Sequence, residues 1–139
     1  MSALPALDAI PAPRSATVLL VEDDVAVRLS FADHLRENGM TAIEAGTAGE
    51  AIALLAGRDD IDFVFSDIRM PGETDGLDLF EWIGAHRPDL PVLIASGNPR
   101  GKESATNLFW RTPLIDKPYD YAEVLAHIRA VLAKREVDE

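Results

Sequence analysis

Residues 63–67 read Phe63-Val64-Phe65-Ser66-Asp67, an apolar run that ends on a carboxylate. The turn-forming residues Met70-Pro71-Gly72 follow almost at once. A short apolar run bounded by turn signals is typical of a buried strand in a parallel sheet. Asp67 is therefore predicted to lie at the edge of such a sheet, which makes it a candidate site residue.

Two further predicted strands also end in charged residues. The apolar run 17–21 is followed by Glu22-Asp23-Asp24, and the short strand 114–115 is followed by Asp116 and Lys117. We interpret Asp24 as the cap of the next helix, since aspartate is favoured at that position. Acids and one lysine at three strand ends together indicate a phosphoryl acceptor that works with a metal ion.

Strand and helix patterns alternate along the chain from Thr17 onward. Strands are predicted at 17–21, 41–45, 61–65, 91–95 and 114–115. Helices are predicted at 24–38, from the capping residue Thr47, at 76–86, weakly at 99–110, and from the capping residue Asp120. This alternation predicts an α/β, flavodoxin-like, doubly wound fold. Its five-stranded parallel sheet has the order 2-1-3-4-5, with helices on both faces. The first and third strands are then neighbours, so Glu22, Asp23 and Asp67 meet in one crevice.

Length and composition indicate one globular domain. We interpret residues 1–15 as a flexible N-terminal tail, 16–135 as the folded domain and 136–139 as a C-terminal tail of the 139-residue chain. The net charge of -11 repels nucleic-acid phosphates, so we expect no nucleic-acid partner. Without cysteine, a secretion signal or a membrane-length apolar run, the chain is predicted to be cytoplasmic and without a membrane partner.

Four motifs occur in order, each at the end of its strand. They are Val21-Glu22-Asp23-Asp24, Ser66-Asp67-Ile68-Arg69-Met70-Pro71, Ser96 after Leu93-Ile94-Ala95, and Asp116-Lys117-Pro118-Tyr119. Together they resemble the receiver domain of two-component response regulators, in particular single-domain receivers of the chemotaxis-regulator kind. The resemblance extends from about Thr17 to Leu132.

The resemblance implies a magnesium site. Mg²⁺ would be the cofactor, held by the side chains of Glu22, Asp23 and Asp67 and by the backbone carbonyl of Arg69. These are oxygen ligands, which Mg²⁺ prefers. The loop that carries Arg69 is one residue longer than usual before Gly76, but the extra residue follows the carbonyl.

The resemblance also implies a phosphotransfer site and a switch. Asp67 would accept a phosphoryl group from a histidine kinase or a histidine phosphotransfer protein, with Lys117 and Ser96 as catalytic contacts to the phosphoryl oxygens. Ser96 would also belong to the conformational switch, together with Leu114 and Pro118, the latter behind a cis bond. Leu114 stands where the family often has an aromatic residue, and Phe109 or Trp110 are the alternatives for that role.

The end of the chain leads to expectations about output. Only residues 133–139 follow Leu132, so we expect no DNA-binding or catalytic output domain, and signalling by protein contact or phosphorelay. A downstream protein would bind the face formed by the predicted fourth helix, fifth strand and fifth helix. We expect a monomer or weak dimer, and no enzyme activity beyond phosphorylation and dephosphorylation of Asp67 itself.

Two alternatives stay open at this point. A phosphohydrolase with an aspartyl nucleophile would carry a second aspartate two positions after the first, where this chain has Arg69. A receiver-like binding module that works without phosphorylation would explain Leu114 and the weak segment 99–110. Uptake of a phosphoryl group from acetyl phosphate separates this module from a phosphorylated receiver.

The three histidines, His34, His86 and His127, lie in or at the ends of predicted helices. Their spacing does not match that of metal ligands. We expect all three to have solvated positions at the surface.

Overall fold

A computed structural model describes residues 16–67, 76–96 and 114–138 of the chain. The strands in this part are β1 (Thr17–Val21), β2 (Thr41–Ala45), β3 (Phe63–Asp67), β4 (Val92–Ser96) and β5 (Leu114–Asp116). The helices are α1 (Val25–Glu37), α2 (Ala48–Gly57), α3 (Gly76–His86) and α4 (Tyr121–Asp138). All strand pairs are parallel, in the order β2-β1-β3-β4-β5, which confirms the predicted order 2-1-3-4-5.

The burial of the strands follows their place in the sheet. Every residue of β1, β3 and β4 is buried, whereas β2 and β5 are only partly buried, as expected for edge strands. Successive residues of β1 face opposite sides of the sheet: Leu19 packs with residues of α2 and α3, and Leu20 with residues of α1 and α4. The sheet therefore has a hydrophobic core on each face, and its strand ends stay available for polar groups.

The third strand begins later than its sequence pattern indicated. The prediction was 61–65, but the strand spans Phe63–Asp67. Ile61 is buried by packing against the core rather than by strand pairing. Asp62 bonds with Thr17 at the start of β1, its backbone N–H donating to the Thr17 carbonyl and its carboxylate accepting from the Thr17 N–H, both at 2.8 Å. These two hydrogen bonds fix the register of β3 against β1, in which Asp67 is the last residue of β3.

Side-chain caps fix where the helices begin. Asp24 accepts a hydrogen bond from the backbone N–H of Val27 (3.1 Å), and Thr47 accepts one from that of Glu50 (3.0 Å), so both predicted caps are confirmed. Asp120 caps α4 by accepting from the N–H of Ala122 at 3.0 Å. The first of these caps matters for the site, because it holds the chain that follows β1 in a tight turn.

The last helix, α4, corresponds to the predicted fifth helix. It continues to Asp138, past residue 135, while the division of the chain at 1–15, 16–135 and 136–139 remains a prediction. The predicted N-terminal tail and the predicted helix at 99–110 lie outside the described residues. No helix in the described ranges has both the length and the apolar character needed to cross a membrane.

Two of the three histidines are less exposed than predicted. His86 is exposed and stacks on Trp82, but His34 and His127 are half-buried. Their Nε2 atoms are shielded from solvent and have no hydrogen-bond partner among the described residues. The expectation of solvated positions is therefore wrong for these two, because each ring lies against an aromatic neighbour, Tyr121 for His34 and Phe63 for His127.

The burial of His127 leads to a prediction about acid stability. Burial lowers the pKa of its imidazole below the usual 6.5, so the folded protein holds this proton less well than the unfolded chain. The contribution of His127 to stability is therefore fully present above pH 6.5, the pKa of the unfolded chain. It is lost as the pH falls from there toward the lower pKa of the folded protein. We expect the wild type to lose more stability than His127→Leu as the pH falls from neutral to mildly acidic.

Urea denaturation across the pH range measures this effect as the difference between wild type and variant. His86→Leu is the matched control, since His86 is exposed. Equal pH dependence in the wild type and His127→Leu would contradict the assignment.

Candidate functional site

The adjacent carboxyl ends of β1 and β3 bring the predicted acids together. Val21 on β1 lies opposite Ser66 on β3, so the residues that follow them, Glu22 and Asp67, emerge side by side. One carboxylate oxygen from each of Glu22, Asp23 and Asp67 lies within 4.8 Å of the others. The crevice predicted from the strand order is therefore present.

Asp67 forms an ion pair with Lys117, which directly follows the edge strand β5. Its carboxylate is 7% exposed, and its Oδ2 accepts a hydrogen bond from the Lys117 Nζ at 2.5 Å. The two residues are 50 positions apart, and β4 lies between their strands. A carboxylate this deeply buried needs a counter-charge to stay ionised, and Lys117 provides one.

Glu22 is buried as well, which affects its protonation. Burial raises the pKa of the Glu22 carboxyl, and the negative charge of Asp67 raises it further, while the backbone N–H of Asp24 opposes both by donating to Oε2 at 3.1 Å. Asp23, by contrast, is exposed. The cluster thus contains two buried carboxylates beside an accessible one, and a cation that binds it would relieve their mutual repulsion.

The three predicted switch residues lie at the ends of β4 and β5. Ser96 is the last residue of β4, one position beyond the residue opposite Asp67, and it is buried. Leu114 begins β5 and packs, half-buried, against the core on the α2–α3 face. The bond between Lys117 and Pro118 is cis, as the resemblance implied. The Lys117 N–H donates to the Ser96 carbonyl at 3.0 Å, which joins the two strand ends.

The donor set fits a magnesium ion. Glu22, Asp23 and Asp67 supply carboxylate oxygens only, which suits a hard divalent cation and not a soft one. Arg69, whose carbonyl was predicted as a further ligand, lies outside the described residues, as do Phe109 and Trp110. Among the described residues, the fit to Mg²⁺ therefore rests on the three carboxylates.

Sequence reasoning missed an aromatic wall beside the acids. A cavity of about 490 Å³ is lined by Glu22, Asp24, Val27, Lys117, Pro118, Tyr119 and Tyr121. The Tyr119 ring packs edge-on against Phe65, and burial raises the pKa of its phenol, so this hydroxyl stays protonated. The signal in the sequence was two tyrosines directly after Lys117-Pro118, but their orientation depends on packing against Phe31 of α1.

A second missed feature is an arginine behind the acids. Arg28 of α1 donates from Nη1 to the backbone carbonyl of Glu22 at 2.9 Å and from Nε to the Glu44 carboxylate at 3.1 Å. The sequence places Arg28 on a helix and Glu44 on a strand without indicating that they meet. To predict their contact, one must know that β2 pairs with β1 and that α1 packs over both strands.

The arrangement suits one kind of chemistry. A buried, ionised carboxylate is a nucleophile when an electrophile reaches it, and a lysine beside it can take up negative charge on an incoming group. The neighbouring acids would carry a divalent cation for the same purpose. These features are those of a carboxylate that accepts a phosphoryl group.

Comparison with known protein families gives a clear match. Residues 18–129 match the family model described as the response regulator receiver domain. The chain is 32% identical over 123 residues to the response regulator MprA of Mycobacterium leprae, covering 88% of this chain and 53% of that protein. It is also 32% identical over 125 residues to the sensor kinase CckA of Brucella abortus, covering 88% of this chain and 13% of that protein.

Solved structures show the same fold. A CheY-like response regulator receiver domain protein from Methanospirillum hungatei superposes with a TM-score of 0.81 at 25% identity, covering 90% of this chain and 99% of that one. The chain spans about half of MprA and a smaller part of CckA. The match therefore concerns one domain of these longer relatives.

Proposed function

We propose that this chain, which belongs to the response regulator receiver domain family, accepts a phosphoryl group on Asp67 and passes the signal on through contacts with other proteins. The observation that carries this proposal is the ion pair between the buried Asp67 and the more exposed Lys117, beside two further carboxylates. The donor is a phosphohistidine on a histidine kinase or a histidine phosphotransfer protein.

In the proposed transfer, an oxygen of the Asp67 carboxylate attacks the phosphorus atom. The new O–P bond forms as the N–P bond of the phosphohistidine breaks, and the electron pair of that bond stays on the imidazole of the donor. The attacking group is the carboxylate anion of Asp67, so the step moves no proton. The product is an acyl phosphate on Asp67.

Lys117 and Ser96 have distinct roles in this proposal. Lys117 pairs with Asp67 before transfer and follows the negative charge to a phosphoryl oxygen afterwards. Ser96, at the end of the strand next to Asp67, donates its hydroxyl to another phosphoryl oxygen. That bond makes Ser96 a switch residue, together with Leu114 at the start of β5 and Pro118 shortly after its end.

Magnesium is the proposed cofactor. Glu22, Asp23 and Asp67 would hold it, with the carbonyl of Arg69 as a further ligand. When bound, Mg²⁺ offsets the negative charge that gathers as a phosphoryl group approaches a carboxylate. The apposition of three carboxylate oxygens within 4.8 Å supports this assignment.

Partner docking is supported by the surface beside the acids. Val25 is 55% exposed and Leu29 is 48% exposed, one turn apart on α1 and directly after the acidic loop. Large apolar side chains exposed next to a reactive carboxylate favour docking of a protein donor there. Onward signalling, by protein contact or phosphorelay, would use the surface formed by β5, α4 and the segment 99–110. We further propose that the protein acts in the cytoplasm, as a monomer or weak dimer.

We propose no enzyme activity on a separate substrate. Phosphorylation and dephosphorylation would concern Asp67 alone, since Arg69 stands where an aspartyl phosphohydrolase has its second aspartate. The alternative of a binding module that needs no phosphorylation is disfavoured, because burying a carboxylate beside a lysine carries a desolvation cost that apolar residues at the same place would avoid.

Incubation with acetyl phosphate and Mg²⁺ tests the proposal. We expect the intact mass to rise by one phosphoryl group. When EDTA is added before the donor, we expect no increase in mass. Borohydride reduction followed by peptide mapping should locate the acyl phosphate at Asp67. No label from acetyl phosphate or from any histidine kinase of the host would favour the binding module instead.

A further inference from the structure

The backbone of Glu22 is anchored at both ends. Its N–H donates to the Ala45 carbonyl at the end of β2 at 3.0 Å, and its carbonyl accepts from the Arg28 Nη1 at 2.9 Å. The carbonyl of Glu22 and the N–H of Asp23 belong to one planar trans peptide and point in opposite directions. Holding that carbonyl therefore also restricts the direction in which the Asp23 side chain leaves the backbone.

Arg28 is itself held from the other side. Its Nε donates to Glu44 at 3.1 Å, and the two side chains are 19% and 22% exposed. Glu44 also accepts from the Arg36 Nη2 at 3.3 Å, and the same Nη2 donates to the Ala42 carbonyl at 2.9 Å. The guanidinium of Arg28 is thus fixed between an edge strand and the acidic loop, in the two-pronged geometry that distinguishes arginine from lysine.

Gly46 offers a separate way to displace this guanidinium. A Cβ built on Gly46 would lie 3.0 Å from the Arg28 Nη1. This is the nitrogen that reaches the Glu22 carbonyl. A side chain at position 46 would therefore push against the anchoring contact without changing any charge.

We propose that Arg28 is a positioning residue for the metal-binding acids, acting through the Glu22 carbonyl on Glu22 and Asp23. The proposal rests on the proposed function, in which these acids hold Mg²⁺. Groups that orient metal ligands from the second layer change metal affinity by about 10-fold to 100-fold when they are removed. Arg28 makes no contact with the phosphoryl group in this scheme and is not a catalytic residue.

Simple electrostatics predicts the opposite result. Removing a positive charge near three carboxylates makes the local potential more negative, and this alone would tighten the binding of Mg²⁺. Loss of positioning weakens it. The sign of the change in Mg²⁺ affinity therefore distinguishes a positioning residue from a nearby charge.

Calorimetric titration of the whole chain with MgCl₂ tests the proposal. We expect Arg28→Ala to weaken Mg²⁺ binding by about 10-fold to 100-fold, and Arg28→Lys to fall between it and the wild type, because lysine reaches one acceptor at a time. Gly46→Ala should weaken binding in the same direction without a change of charge. Gly49→Ala is the matched control, since a Cβ there has no atom within 4 Å.

Phosphorylation by acetyl phosphate gives a second readout. The Mg²⁺ concentration for half-maximal rate should rise in Arg28→Ala and Gly46→Ala, while the rate at saturating Mg²⁺ stays close to that of the wild type. If Arg28→Ala does not fold, Arg28→Lys and Gly46→Ala carry the test.

The possible failures are distinguishable. Arg28→Ala and Gly46→Ala that bind Mg²⁺ as tightly as the wild type, or more tightly, overturn the positioning role and leave the proposed function intact. A wild-type protein that binds no Mg²⁺ and takes up no phosphoryl group overturns the proposed function itself.

Discussion

The Asp67→Asn protein is expected to take up no phosphoryl group from acetyl phosphate or from a phosphorylated histidine kinase. An amide lacks the anionic oxygen that attacks phosphorus, so the loss should be complete rather than partial. The same change removes one of the three clustered carboxylates and the charge that faces Lys117. Intact-mass measurement after a fixed incubation with donor and Mg²⁺ gives the result directly.

Asp60→Asn is the matched control for this experiment. Asp60 is also paired with a cation, Arg58, at 2.8 Å, but the pair is exposed and Asp60 is not part of the acidic cluster. Its replacement should leave phosphoryl uptake unchanged and have little effect on stability, because the pair is screened by solvent. Asp67→Asn protein that is labelled like the wild type would place the acceptor elsewhere.

Mg²⁺ should also lose its effect on the stability of Asp67→Asn. A ligand that binds only the folded state at 100 times its Kd stabilises that state by about 2.7 kcal/mol. The wild type should gain stability of this order on addition of Mg²⁺, and Asp67→Asn much less. Thermal unfolding with and without Mg²⁺ measures both values, and equal gains would show that the ion binds without Asp67.

The acidic cluster costs the metal-free protein stability. The raised pKa of Glu22 means that the folded state binds this proton more tightly than the unfolded chain does. The resulting stability is present at acidic pH and is lost as the pH rises through the pKa of the folded state. Ionisation of Glu22 therefore costs the folded protein stability in the absence of a cation, a cost often found at functional sites.

The sheet and the acids were predictable from local pattern. The apolar run before Asp67 and the turn after it sufficed to predict that it ends a strand, and the strand order then joined it to Glu22 and Asp23. Asp24 and Thr47 were recognised as caps, because a cap is a local interaction that reads directly from the sequence.

What the sequence did not reveal depends on contacts between distant elements. The start of β3 was predicted two residues too early, because the apolar Ile61 packs in the core without belonging to the strand. Asp62, which follows it, binds Thr17, 45 positions away. Arg28 and Glu44 belong to different elements and meet only after β2 has paired with β1. The half-buried ring of His127 likewise depends on how α4 packs over Phe63, which helical periodicity does not specify.

Replacement of Lys117 should separate metal binding from phosphoryl transfer. Lys117→Gln removes the ammonium that contacts the Asp67 carboxylate at 2.5 Å, so the charge that develops on the incoming phosphoryl group is less well stabilised. Loss of one donor that stabilises developing negative charge lowers rates by about 100-fold to 1,000-fold in enzymes, and we expect a decrease of that order in the rate of phosphoryl uptake. Quenched-flow or timed intact-mass measurements with acetyl phosphate at saturating Mg²⁺ provide that rate.

Mg²⁺ binding should change in the opposite direction. Without Lys117, the three carboxylates have less compensation, so the cation is attracted more strongly and Mg²⁺ should stabilise Lys117→Gln more than the wild type. Arg28→Ala is expected to do the reverse, with weaker Mg²⁺ binding but a nearly normal rate at saturation. The two positively charged side chains near the acids thus have different expected effects. Loss of Lys117 lowers the rate of phosphoryl transfer, and loss of Arg28 lowers the affinity for Mg²⁺.

Two further variants make the Lys117 experiment specific. Lys117→Arg keeps the charge but replaces a compact ammonium with a planar guanidinium, so it should recover only part of the rate. Lys134→Gln makes the same change of charge on an exposed residue of α4 and should leave both the rate and the Mg²⁺ affinity unchanged. A Lys117→Gln protein that is phosphorylated at the wild-type rate would mean that the pair with Asp67 serves folding alone, since the buried carboxylate needs its counter-charge whether or not a phosphoryl group ever arrives.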